Sequence, residues 1–85
     1  MDPWQIAGLL ATALSVSSFV PQLLKVWRVR DASGVSLRTY VIACAAFALW
    51  ALHGAGIGAW VLTASSVASF ALAAAILAGA WRARR

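Results

Sequence analysis

Three long apolar stretches limit what this chain can fold into. A helix needs about 20 residues to cross the roughly 30 Å hydrocarbon core of a bilayer. Apolar residue types make up 64% of the 85 residues, against roughly 45–50% in soluble domains, and so short a chain cannot hide them from water. We therefore predict an all-α membrane protein whose single domain, residues 1–85, holds three transmembrane helices over about 4–27, 37–57 and 59–81.

The segments between the apolar stretches contain residues that end or start helices. Ser36 stands before the second stretch and is the predicted N-cap of its helix. Gly54, Gly56 and Gly58 occupy alternate positions in the second link. Because glycine tolerates left-handed backbone and close contact, this spacing predicts a sharp reversal with close backbone approach.

The positive charges predict an orientation. The formal net charge is +5, and all seven Lys and Arg lie in or beside the first link and in the C-terminal tail. Cations favour the cytoplasmic side, so the N-terminus is expected outside and the C-terminus in the cytoplasm. The cations flank apolar stretches instead of forming a phosphate-tracking face, so we expect no nucleic-acid partner and a surface in contact with membrane lipid.

The spans offer little titratable or catalytic chemistry. No Asp, Glu, Lys or Arg lies deep in a span, and His53 stands near the outer end of the second. Ion-coupled carriers usually keep a titratable group in the membrane, so proton coupling is disfavoured. The sequence has no P-loop, HExxH, CxxC or acid pair. We therefore expect no enzyme, no metal and no cofactor, and Cys44 is interpreted as a small apolar residue.

Neutral polar and aromatic residues are the remaining candidates for a site. Pro21 leaves the carbonyl of Ser17 without its helical donor, so the first helix is expected to kink there and to hinge. Ala46, Trp50 and His53 share one face of the second helix. A small residue beside an indole makes a flat-walled niche that suits the apolar face of a sugar. The alternatives are simple packing for the indole, and for a membrane serine a hydrogen bond to its own helix.

Three helices are too few to enclose a solute path. Two copies supply six helices around a two-fold axis. Both copies obey the same charge rule, so the expected assembly is a parallel homodimer with its axis along the membrane normal.

Two segments resemble a known family. Residues 18–22, Ser-Phe-Val-Pro-Gln, resemble the Pro-Gln motif of the PQ-loop superfamily. Residues 49–54, Leu-Trp-Ala-Leu-His-Gly, resemble the Leu-Trp-x-x-Tyr-Gly of the bacterial SemiSWEET transporters, the half-size relatives of SWEET sugar transporters. The resemblance runs over about residues 6–77. It implies a triple-helix bundle that forms a parallel dimer in the bacterial inner membrane. It also implies passage of sugars of the glucose or sucrose class down their gradient, by alternating access and without a coupled ion.

The resemblance assigns roles to individual residues. Pro21 corresponds to the hinge proline of the relatives, and Gln22 completes the motif. Trp50 corresponds to their sugar-stacking tryptophan. Ser17 corresponds to a first-helix position that lines the pocket. Ala46 joins the predicted substrate-binding set because it shares the helix face of the indole.

Three further positions differ from the family or carry a gate role. His53 stands where relatives have the tyrosine of the outer gate, and Tyr40 is a candidate for the inner gate. Ser66 occupies the third-helix position where relatives carry a sugar-binding asparagine; a hydroxyl is shorter and lacks the amide's second functional group. Two alternatives stay open: a PQ-loop carrier of another small neutral solute, such as an amino acid, or a non-transporting membrane scaffold.

Overall fold

Three long helices build the protein. The computed structural model describes residues 2–31 and 35–84, and within them it contains helices and no strands. The elements are α1 (Pro3–Leu24), which continues as a π-helix (Lys25–Val29), α2 (Leu37–Gly56) and α3 (Trp60–Arg84). Each span is long and apolar enough to cross a membrane, and the bundle measures 44 × 21 × 14 Å. The predicted all-α membrane fold is confirmed.

Side chains cap the first two helices. The predicted cap Ser36 is confirmed, since its hydroxyl accepts a hydrogen bond of 3.2 Å from the backbone N–H of Thr39. Asp2 and Gln5 form a reciprocal capping box at α1, in which each side chain accepts from the other residue's backbone N–H, at 2.7 and 3.2 Å. A cap of this kind is worth about 1 kcal/mol, so both helix starts are fixed locally.

The α2–α3 turn shows why glycines lie there. Gly58 has φ +73°, and the N–H groups of Gly58 and Ala59 donate to the carbonyls of Ala55 and Gly54 at 3.4 and 2.9 Å. These two bonds define a Schellman ending. A Cβ on Gly54 would lie 2.6 Å from Oγ1 of Thr63. The predicted reversal with close approach is therefore present.

The third helix forms the centre of the bundle. In the described part of the chain α3 packs on both α1 and α2, whereas the backbones of α1 and α2 do not approach each other closely. One face of α3 is buried: Ser66, Ser69, Ala73, Ile76 and Ala80. Their spacing of three and four residues is that of one helix face. Large apolar side chains on the outer surfaces stay exposed, as suits a surface that contacts lipid.

One end of the bundle is tightly joined. The indole N–H of Trp27 donates to the carbonyl of Ala75 at 2.9 Å, and the guanidinium of Arg82 lies 5.5 Å from the Trp27 ring centre. Arg30 donates to the Arg82 carbonyl at 3.3 Å. A buried apolar cluster lies at this end: Val26, Val35, Ile76 and Ala80. The first link and the end of α3 therefore meet at one basic end, while the orientation in the membrane stays a prediction.

The backbone around Pro21 departs from α geometry one turn after the proline. α1 continues through Pro21 and changes to the π-helix at Lys25. The N–H of Lys25 is shared between the carbonyls of Pro21 and Gln22. The π-helix ends at Arg30, whose φ of 58° is left-handed. The irregular segment thus directly follows α1, and the hinge role of Pro21 stays a prediction.

Candidate functional site

Trp50 is the centre of the candidate site. It lies in the second half of α2, and its side chain is 52% exposed. Ala46, Leu49, Trp50 and His53 line one groove of about 430 Å³ on α2. The Trp50 and His53 rings meet edge to face, with centroids 5.7 Å apart and planes at 79°. The structure therefore brings together the three residues that the helical spacing places on one face.

A second cavity lies on the α1 and α3 side of the same indole. It is a cleft of about 260 Å³, and with Trp50 its lining is Ser15, Phe47, Leu62, Ser65, Ser66 and Ser69. We call it the serine cleft. All three helices contribute to it, because α3 lies between the other two. The Trp50 indole separates an apolar groove from a cleft lined by hydroxyls.

The serine and threonine hydroxyls of α1 and α3 fall into two groups. The first group donates to backbone carbonyls of the preceding turn at 2.8–3.0 Å: Thr12, Ser17, Ser18 and Thr63. The second group lines the serine cleft, and its hydroxyls make no hydrogen bond to another group of the described chain: Ser15, Ser65, Ser66 and Ser69. A hydroxyl removed from water without a partner costs about 1–3 kcal/mol. The second group is therefore available to a polar ligand.

The first-helix residue of the cleft differs from the one that the sequence indicated. Ser66 lies in the serine cleft beside Trp50, as its predicted role requires. Ser17 is exposed away from this cleft, and its hydroxyl donates to the carbonyl of Ala13. Ser15 supplies the α1 hydroxyl instead. Both serines are exposed in a single copy. Because residues two apart on a helix point in nearly opposite directions, only the packing of α1 on α3 reveals that Ser15 is the one that lines the cleft.

The two gate candidates lie at opposite ends of α2. Tyr40 donates its hydroxyl hydrogen bond to Oε1 of Gln22, which joins α2 to the Pro-Gln pair on α1. His53 lies near the other end of α2, roughly 20 Å away by helical rise. Pro21 is exposed on α1. The structure thus brings one gate candidate into contact with the motif and leaves the other beside Trp50.

The residues that line the groove and the serine cleft are neutral polar, aromatic and apolar side chains and one histidine. Among residues 2–31 and 35–84, no group of three His, Cys, Asp or Glu side chains could hold a metal ion. Ring faces and neutral hydroxyls are what the groove and the cleft present to a ligand. Such groups recognise an uncharged molecule with apolar faces and hydrogen-bonding edges.

Comparison with known proteins agrees with this architecture. A family model described as the PQ loop repeat matches residues 3–67. The chain therefore belongs to the PQ-loop family. The "Sugar transporter SemiSWEET" of Bradyrhizobium diazoefficiens is 32% identical over 79 residues, covering 91% of this chain and 92% of that protein. Similarity over nearly the whole of both chains makes this a SemiSWEET-type PQ-loop protein. No solved structure matched the chain.

Proposed function

We propose that this protein is a facilitative sugar transporter of a bacterial inner membrane, moving mono- or disaccharides such as glucose or sucrose. The observation that carries the proposal is the half-exposed Trp50 indole standing beside four serine hydroxyls that lack partners in the described chain. A sugar offers apolar CH faces to an indole and hydroxyls that both donate and accept. The name of the relative from Bradyrhizobium diazoefficiens supports a sugar substrate.

The proposed working unit is a parallel homodimer. In a single copy the Trp50 side chain is 52% exposed, although it lines both the groove and the serine cleft. A site on one copy therefore stays open at the side. A second copy, related by an axis along the membrane normal, closes the site and places a second Trp50 opposite the first. The proposed substrate-binding set is Trp50, Ala46 and Ser66, which line the groove and the serine cleft. Ser17 is kept in the set only as the position that the family resemblance assigns, because it lies outside the cleft and its hydroxyl donates to Ala13.

The proposed transport cycle is alternating access without a coupled ion. His53 closes the outer side and Tyr40 the inner side, while α1 moves about Pro21. Among the described residues, no carboxylate or ammonium group lines the groove or the serine cleft, which supports movement of sugar only down its own gradient. A passive carrier shifts between its states only by differential binding, so its affinity is modest. The basic end is proposed to face the cytoplasm, with the N-terminus outside.

Uptake into liposomes tests this proposal. The purified protein is reconstituted, and entry of labelled glucose and sucrose is compared with entry of a labelled amino acid and with empty liposomes. We expect saturable uptake of one of the two sugars, with counterflow, which a simple pore does not show. If neither sugar enters faster than into empty liposomes, the proposal is wrong. Amino-acid uptake alone supports the alternative carrier, and no uptake of any solute supports the scaffold.

A tryptophan pair gives the matched variants. Trp50→Ala should abolish most sugar uptake and leave the dimer intact, as measured by mass and crosslinking in detergent and in bilayers. Trp60→Ala is the control, because Trp60 is also 52% exposed but lies at the start of α3, outside both cavities that Trp50 lines. Equal loss of uptake in the two variants would contradict a specific role for Trp50. A protein that is solely monomeric would contradict the dimer.

A further inference from the structure

Two buried serines stand one helical turn apart on α3. Ser66 is 5% exposed and Ser69 is 6% exposed, yet neither hydroxyl bonds to another group of the described chain. Within that part of the chain no fully enclosed side-chain oxygen lacks a partner. The small exposed surface of each serine therefore includes its hydroxyl oxygen, and that oxygen faces the serine cleft.

Ser69 lies at the closed end of this cleft. The next buried residues along the same face of α3 are Ala73 and Ile76, and Ile76 belongs to the apolar cluster that joins the helices at the basic end. Towards the start of α3, Leu62 and Ser65 line both the serine cleft and a neighbouring groove. That groove of about 380 Å³ reaches the start of α1 at Asp2. A ligand that enters by this route meets Ser65 first and Ser69 last.

The hydroxyls of the cleft come from two helices. Ser15 of α1 lines the cleft with the α3 serines and also makes no hydrogen bond through its hydroxyl to the described chain. Each serine hydroxyl donates one hydrogen bond and accepts others, as a sugar hydroxyl does. Other membrane hydroxyls, such as that of Ser18, are occupied by their own helix. Among the serine and threonine hydroxyls of α1 and α3, those without a partner in the described chain are thus the ones that line the serine cleft.

We propose that Ser69 and Ser15 determine substrate specificity by hydrogen-bonding hydroxyl groups of a sugar whose ring lies against Trp50. This inference rests on the proposed function. It adds to that function the residues that form hydrogen bonds with the sugar hydroxyls at the closed end of the cleft. Ser69 binds the hydroxyl that penetrates deepest, and Ser15 binds from α1. The ligand class is a neutral polyhydroxylated ring, and a ligand without a hydroxyl at that end binds more weakly.

Competition with deoxy sugars tests the assignment. Uptake of labelled glucose by wild type, Ser69→Ala and Ser15→Ala is measured in liposomes with unlabelled glucose and its 2-, 3- and 6-deoxy analogues as competitors. Each variant should raise the half-saturation concentration for glucose about three- to tenfold, the range of one neutral hydrogen bond. One deoxy analogue should compete more weakly than glucose with the wild-type protein, because it lacks the hydroxyl that Ser69 binds. In Ser69→Ala this difference between the analogue and glucose should disappear, because the serine hydroxyl is already missing. If Ser69 had only a structural role, glucose and all its deoxy analogues would compete less well in Ser69→Ala by the same factor.

The control variant is Ser18→Ala, which removes a hydroxyl that bonds to the Ser15 carbonyl and does not line the cleft. The half-saturation concentration for glucose uptake by Ser18→Ala should equal that of the wild-type protein. If wild type transports glucose and Ser69→Ala keeps both its half-saturation and its analogue pattern, the inference is overturned and the proposed function stands. If wild type transports sucrose and not glucose, the same pattern is sought with deoxy analogues of sucrose. If wild type transports neither sugar, the proposed function fails and the inference fails with it.

Discussion

Gly79→Ala probes the contact between α1 and α3 at the basic end of the bundle. A Cβ at Gly79 would lie 2.5 Å from Cγ1 of Val26, 2.7 Å from Nε1 of Trp27 and 2.9 Å from its Cε2. Val26 is 1% exposed and cannot swing aside. Trp27 can move outward only by giving up its hydrogen bond to the carbonyl of Ala75. The methyl group therefore forces the π-helix away from α3.

The expected loss of stability follows from three contributions. Inserting a methyl group into a packed contact costs about 1–3 kcal/mol. Losing the Trp27 hydrogen bond costs about 1 kcal/mol more. The better helix propensity of alanine returns about 1 kcal/mol. We therefore expect the free energy of unfolding of Gly79→Ala to fall by about 1–3 kcal/mol.

Unfolding in mixed micelles measures this change. The protein in mild detergent is titrated with sodium dodecyl sulfate, and helix content is followed by circular dichroism. Gly56→Ala is the matched control, since a Cβ there meets nothing within 4 Å and Gly56 does not have positive φ. It should be as stable as wild type or slightly more stable. The double variant Val26→Ala, Gly79→Ala should lose less than the sum of the two single losses.

Two results would contradict this description of the contact between α1 and α3. Gly79→Ala with the stability of Gly56→Ala would show that α1 and α3 do not approach each other as described. Strict additivity in the double variant with Val26→Ala would show that the destabilisation arises elsewhere than at the Val26 contact.

Three further predictions concern other contacts of the bundle. Gly54→Ala should lower stability in the same titration by about 1–3 kcal/mol, because its Cβ would lie 2.6 Å from Thr63 Oγ1 and 3.0 Å from the Thr63 backbone nitrogen; unchanged stability would contradict the close approach. Tyr40→Phe removes the hydrogen bond to Gln22 and should lower the free energy of unfolding by about 1 kcal/mol in the same titration. Asp2→Ala removes the capping carboxylate of α1 and should cost about 1 kcal/mol, measured by the midpoint of the same titration.

The sequence predicted those features that depend on neighbouring residues along the chain. The three spans follow from apolar length, the Ser36 cap from its position before α2, and the turn at Gly58 from glycine's access to left-handed backbone. These features are local, so a single chain reveals them. The Asp2 cap of α1 is equally local, and the pattern Asp-x-x-Gln at residues 2–5 is the signal that could have found it.

Features that depend on how helices pack were not predicted. Each spanning helix carries apolar residues on all of its sides. The sequence therefore does not show which side of a helix contacts another helix and which side contacts lipid. The assignment of Ser15 rather than Ser17 to the serine cleft depends on that choice. The spacing of Ser66 and Ser69 with Ala73 by three and four residues was the available signal, because small residues favour close helix contacts. The π-helix after Pro21 has no such signal in the sequence.

The central position of α3 has a consequence for biogenesis. α2 and α3 follow each other in the chain and also pack together, so they can form a local hairpin as soon as both have been inserted. α1 is made first, yet the helix on which it packs is made last. The first helix therefore lacks its packing partner in the membrane until α3 has been synthesised. Its long apolar stretch is sufficient to keep it in the bilayer during that time.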